Sequence, residues 1–232
     1  GFDDTPARLN GNSFSTACGD VDADGDMDLL TAEIVHWHIG QSSDPTELLL
    51  NDGTGNFSRP GNAAMGLDRS WPSNSWNEGD INAAFFDFDN DGYQDILIGS
   101  SDYPDTHIFL YRQNVDGTFY DVSAETGMNQ PWPAGLAIAD FDADGDLDVV
   151  TGSSTARTGT PWDDRRLHFY ENLSSGNAAR IRLEGSNSNG AGIGAEVRVS
   201  TENRTQLFAP SGGYGHFGQH NTTTVHAGLG EA

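Results

Sequence analysis

The 232-residue chain predicts an all-β fold assembled from repeated sheet units, on three observations. Gly (29 residues) and Asp (26 of the 35 acids) are abundant, and both favour turns over helix interiors. Phe, Trp and Tyr together number 23, which argues against disorder, and the apolar runs are short, as in an all-β chain. An acidic nine-residue pattern, D-x-D-x-D-G-x-x-D, recurs three times without gaps.

The recurrences are DVDADGDMDLL from Asp20, DFDNDGYQDIL from Asp87 and DFDADGDLDVV from Asp140, at intervals of 67 and 53 residues. Each is followed by a hairpin turn: Asn51-Asp52-Gly53, Asn114-Val115-Asp116-Gly117, and the weaker Asn172-Leu173-Ser174-Ser175-Gly176. Units open at Phe2, Phe57 and Phe119, so residues 2–56, 57–118 and 119–176 form three repeats. Within them, Ala83-Ala84-Phe85-Phe86 and Leu136-Ala137-Ile138-Ala139 read as strands entering the acidic loops. Asp95-Ile96-Leu97-Ile98 and Asp148-Val149-Val150-Thr151 leave them, and Ile108-Phe109-Leu110-Tyr111 and Leu167-His168-Phe169-Tyr170 come next. Units of ~40–60 residues with about four strands are β-propeller-type blades. The expectation is three four-stranded blades over residues 1–176, then a small β domain over 177–232. There, Arg180-Ile181-Arg182-Leu183-Glu184 and Ala195-Glu196-Val197-Arg198-Val199-Ser200 alternate with period two, as half-buried strands do.

The loops carry the chemistry. Calcium takes six to eight oxygens at ~2.3–2.6 Å, and alternate residues of a tight loop converge them. Positions 1, 3, 5 and 9 supply carboxylates and position 7 a backbone carbonyl. The expected ligands of about three Ca²⁺ ions are therefore Asp20, Asp22, Asp24, Asp26 and Asp28; Asp87, Asp89, Asp91, Tyr93 and Asp95; and Asp140, Asp142, Asp144, Asp146 and Asp148. Gly at position 6 supplies the positive φ of the reversal. No Glu stands at position 12, where Thr31, Ile98 and Thr151 sit in strands, so these are not helix–loop–helix sites. A solvated Asp/Gly turn is the alternative, but one such match arises by chance in roughly four of a thousand chains of this composition, and here there are three. Mg²⁺ suits the loops less well, since it prefers fewer carboxylates and keeps its waters.

Charge excludes other classes. Eleven bases, all Arg, against 35 acids give a formal charge of −24, which disfavours nucleic acid and anionic membranes. No apolar run approaches the ~18 residues of a membrane span. The chain lacks an initiator Met and a signal peptide, as expected of a processed or excised piece. The lone Cys18 reads as a small buried hydrophobe.

With these residues in view, the chain resembles the FG-GAP/VCBS repeat proteins, whose blades carry this loop, over about residues 1–176. The remaining residues resemble the ASPIC/UnbV domain of cartilage-acidic-protein-like sequences, through residues 186–195, Ser211-Gly212-Gly213-Tyr214 and His226-Ala227-Gly228-Leu229-Gly230. The stretch HWHIGQSSDPTELLLNDG from His36 looks like bacterial members of that group. The resemblance implies export, calcium binding and adhesion or scaffolding, and no catalytic activity. Family propellers have about seven blades and the ASPIC/UnbV pattern continues further, so three open blades imply a piece of a longer chain or a subunit completed by neighbours in a ring or filament.

Lesser candidates are a transition-metal pair at His36 and His38, weighed against packing beside Trp37, and a second cluster at His216, His220 and His226. Trp71, Trp76, Trp132 and Trp162 lie in connections, where they could stack on sugars or cover blade ends. The functional expectation is a calcium-binding, extracellular, non-catalytic structural, adhesion or assembly module. Its partners would be copies of itself, further blades, or an extracellular protein or glycan. The alternative is a carbohydrate-active enzyme or glycan-binding domain on the same scaffold, which would show Tyr, His or Arg converging in a cleft.

Overall fold

A computed structural model describes residues 13–36, 38, 44–70, 77–103, 106–155, 166–213 and 221–230. The chain is nearly all-β and propeller-like. Around the first acidic loop run β1 (Ser13–Gly19) and β2 (Asp28–His36), followed by β3 (Leu48–Asn51) and β4 (Phe57–Ser58). A single helical turn, α1 (Asn62–Met65), leads on to the second blade. That blade comprises β5 (Asn77–Phe86), β6 (Asp95–Ser100), β7 (Phe109–Gln113) and β8 (Phe119–Asp121), and β5 and β6 flank the second loop. The third comprises β9 (Pro133–Ala139), β10 (Asp148–Ser153) and β11 (Leu167–Tyr170). All pairs within blades are antiparallel.

The third sheet has three strands among the described residues, where four were expected. Its last turn lacks the Asp-Gly of the other two, and residues 171–176 run without strand structure into β12 (Asn177–Ile181). β12 pairs with the last described strand, β15 (Val225–Gly230). A separate hairpin joins β13 (Val197–Ser200) to β14 (Thr205–Phe208). Blades one and two meet at one end, where Ile34, Val35 and His36 pair with Gly79, Glu78 and Asn77. The register shift between Asp80 and Asn82 lets β5 leave that edge and join its own blade.

Stacking of blades explains the apolar runs. One cluster, between blades one and two, holds Leu30, Ala83, Ile96, Ile98, Phe109 and Tyr111. The other, between blades two and three, holds Ala84, Leu97, Ile108, Leu110, Leu136 and Val149. Successive residues of β5, β6 and β7 thus point into opposite clusters, and the middle blade is apolar on both faces. Gly99 lies where a Cβ would sit 3.1 Å from the Leu136 side chain, so the blades close tightly there.

A buried polar network lies where β5, β6 and residues 46 and 69 meet. Asp80, fully buried, accepts hydrogen bonds from Arg69 Nη1 (2.7 Å), Thr46 Oγ1 (2.6 Å) and Ser100 Oγ (2.5 Å). The Arg69 guanidinium lies 4.1 Å from the Phe109 ring centroid, and its Nε donates to Tyr111 Oη. No sequence motif marks this network. Cys18 corrects an expectation: it is exposed, because Ala17 takes the core position on β1 and the alternation turns the next residue outward.

Candidate metal centres

The three loops are built alike from the backbone upward. At position 9, Asp28, Asp95 and Asp148 are fully buried. One oxygen of each accepts the N–H of position 2: Val21 (2.9 Å), Phe88 (3.0 Å) and Phe141 (2.9 Å). The other accepts an N–H from the end of the third strand or just beyond it: Asn51 (2.9 Å), Gln113 (2.8 Å) and Asn172 (2.8 Å). Each position 9 carboxylate therefore pins its loop to the next turn. Those turns share chemistry, since Asp52 and Asp116 each accept both the N–H and the hydroxyl of a Thr two residues on. The exposed Asp52 carboxyl is thereby held down at about 2.

At each loop, carboxylate oxygens of positions 1, 3 and 9 converge within 4.8 Å: Asp20, Asp22 and Asp28; Asp87, Asp89 and Asp95; Asp140, Asp142 and Asp148. Such clusters could hold metal ions. Position 5 lies outside these triads; Asp24, Asp91 and Asp144 instead accept the N–H of position 7 at 3.0, 2.9 and 3.0 Å. At position 7 the side chains are used for packing. Asp146 Oδ1 accepts from Asn90, the Tyr93 ring lies under the Arg204 guanidinium at 4.2 Å, and Asp26 lies against Gly53.

Electrostatics match a cation site. Burial, reinforced by neighbouring carboxylates, pushes Asp28 up to about 6 and Asp87 up to about 7, and Asp95 well above the ordinary carboxylate range. Asp20, Asp22 and Asp89 move the same way, again chiefly through burial. Carboxylates this close repel one another, and their ionised form is favoured by a positive partner. In loop two Arg112 supplies part of it, 2.6 Å from Asp89 and 3.0 Å from Asp91. In loop three Arg180 of β12 pairs with Asp140.

Two features escaped sequence reasoning. Position 4 is left-handed in all three loops (Ala23 φ 61°, Asn90 φ 60°, Ala143 φ 67°), a conformation Asn tolerates better than Ala. Asn90 is also a hub. It is fully buried, its Nδ2 donates to Asp146 at 2.6 Å, its Oδ1 lies 2.6 Å from His226 Nε2, and its carbonyl accepts the Gly230 N–H. His226, one of the tail histidines, thus packs against loop two; His216 and His220 lie outside the described residues. The last strand fits there because Gly228 has no side chain, which would run into the Asp87 carboxylate and the Asn90 backbone. Asn for Ala at position 4, one of several departures of the second recurrence from the other two, was the available signal.

His36 has both ring nitrogens near partners, Asn77 Oδ1 at 2.7 Å and Tyr103 Oη at 3.5 Å, and stacks on His38 at 5.3 Å. Trp132 has φ 56°, while Trp37, Trp71, Trp76 and Trp162 lie outside the described residues.

Stacked antiparallel blades with an acidic loop between the first two strands define a class of repeat β proteins. The profile of the FG-GAP-like repeat matches residues 20–98 and 87–151, more than half of the chain, and the protein belongs to that family. It is also similar to Cartilage acidic protein 1 of Xenopus tropicalis, 35% identical over 66 residues, 28% of this chain and 10% of that protein. To Cartilage acidic protein 1 of Homo sapiens it is 43% identical over 47 residues, 19% of this chain and 7% of that protein. The matched stretches are thus a tenth or less of these relatives.

Proposed function

We propose that the protein is a calcium-binding, extracellular, non-catalytic module in which Ca²⁺ rigidifies each blade for structural, adhesive or assembly roles. The observation that carries this reading is the threefold convergence of carboxylates at positions 1, 3 and 9 within 4.8 Å, with position 9 buried in every loop. An all-carboxylate donor set suits a hard cation with a large, flexible coordination shell. Position 5 carboxylates and position 7 carbonyls would complete the shell. A bound ion would favour the ionised form of the raised carboxyls in loops one and two, and in each blade would tie the first two strands to the third through the position 9 carboxylate. Loops of this type in extracellular modules work at ~10⁻⁴–10⁻³ M calcium, which supports an exported setting. Among the described residues, the Arg69–Tyr111 cluster is filled by Asp80 and Phe109, which favours a structural over a catalytic role for it. The partners proposed are other copies of the chain or further blades.

Equilibrium dialysis against calcium tests the reading. About three ions per chain are expected, and Asp22→Asn, Asp89→Asn and Asp142→Asn should each remove or weaken one. Stoichiometry below one, or loss of none in the variants, would contradict it.

A further inference from the structure

The three loops differ in the charge that faces them. Loop one offers five carboxylates, Asp20, Asp22, Asp24, Asp26 and Asp28, and among the described residues no Arg or His pairs with them. Arg204 touches that loop at a backbone carbonyl instead, its Nη2 donating to Val21 O at 3.3 Å. Loop two offers four, because Tyr93 holds position 7, and Arg112 faces them. Its Nε lies 2.6 Å from Asp89 Oδ2, and its Nη2 donates to Asp91 Oδ2 at 3.0 Å. Loop three again offers five, with Arg180 Nη1 on Asp140 Oδ2. Five carboxylates alone, four against one arginine, and five against one arginine give formal charges of −5, −3 and −4.

The register makes the difference local. Asn51, Gln113 and Asn172 donate to the position 9 carboxylates, so Leu50, Arg112 and Glu171 stand at one equivalent place before them. The third strand therefore brings a base to loop two alone, and the base at loop three comes from β12. Neither arginine fills its loop. Asp89 Oδ1 and Asp140 Oδ1 are buried with no hydrogen-bond partner, and the Asp140 side chain is 8% exposed. An orphaned oxygen beside two further carboxylates fits a cation.

We propose that Arg112 and Arg180 are built-in competitor cations that grade the loops, so that loop one binds calcium most tightly, loop three less and loop two least. This rests on the calcium reading above. An ion entering loop two either shares Asp89 and Asp91 with the guanidinium or pushes it aside. Sharing sets like charges in neighbouring positions, displacement breaks two ion pairs, and both lower affinity. Arg112 is 37% and Arg180 47% exposed, so solvent screens part of the effect and the result is a graded series, not exclusion. Ligand charge tunes calcium loops over orders of magnitude. At loop three the competing arginine belongs to β12, so filling that loop also loosens a contact holding the C-terminal strands.

Calorimetric titration of the calcium-stripped full chain tests the proposal. One tight ion and two weaker ones are expected. Asp22→Asn should abolish the tight phase. Arg112→Gln and Arg180→Gln should each tighten one weak phase roughly tenfold, while Arg112→Lys, which keeps the charge, should tighten it far less. Circular dichroism in EDTA checks that each variant folds; if an arginine variant does not, Asp22→Asn still decides where the tight ion lies. Three equal phases, a tight phase that survives Asp22→Asn, or folded glutamine variants that titrate like the starting protein overturn the proposal and leave the calcium reading standing. Absence of binding in every protein overturns the calcium reading itself, and the proposal with it.

Discussion

At the scale of single residues, the acidic loops combine local backbone anchoring with a charge problem. Raised carboxyl groups bind protons more tightly when folded than when unfolded. Their contribution is fully present below the unfolded carboxylate range near pH 4 and is lost as pH rises through the folded values. With Asp28 at about 6 and Asp87 at about 7, metal-free protein should melt progressively lower between about pH 4 and 7. Calcium, which favours the ionised form, should flatten that slope. Thermal scans at several pH values, with and without EDTA, read it directly. His226 works the other way: burial holds it below its ordinary value, so its contribution is present above about pH 6.5 and fades as pH falls. Asn90→Ala removes the contacts to Asp146 and His226 and should destabilise by about 2–3 kcal/mol in denaturant titrations. Ala143, equally left-handed but at the unlinked position of loop three, should tolerate Gly with no loss.

At the scale of strands and sheets, the middle blade decides how tightly the stack closes. Gly99 abuts Leu136, whereas no described atom lies within 4 Å of where a Cβ would stand on its equivalent, Gly152. Gly99→Val should therefore overpack the second cluster and cost about 1–3 kcal/mol, while Gly152→Val costs far less. Equilibrium unfolding of both variants makes the comparison. The entry and exit strands around each loop were legible because hydrophobic runs flank an unmistakable acidic signature; β11 falls on Leu167–Tyr170 as its pattern predicts. That blade three has three strands among the described residues was not, because the segment after its last turn pairs elsewhere. β12 pairs with β15, some fifty residues later, and no local pattern encodes that choice. The loop triads were legible as a set, but the division of labour within them was not. Position 9 is a backbone anchor, and this comes from N–H groups that every residue but proline carries.

At the scale of the whole molecule, the acidic loops are where the blades and the C-terminal strands meet. Asn90 joins loops two and three to β15, Gly176 and Gly228 press on loop two, and Arg180 reaches Asp140 from β12. Order in the loops is thereby order in the contacts between blades. Three bound calcium ions would also lower the formal charge from −24 to about −18, easing repulsion across the acidic surface. Ion binding that only the folded triads can make would add directly to folding stability. Thermal unfolding in millimolar calcium and in EDTA is the most direct measurement of this account. It predicts a melting temperature markedly higher in calcium, with one cooperative transition covering all three blades. Identical melting in calcium and EDTA would contradict it.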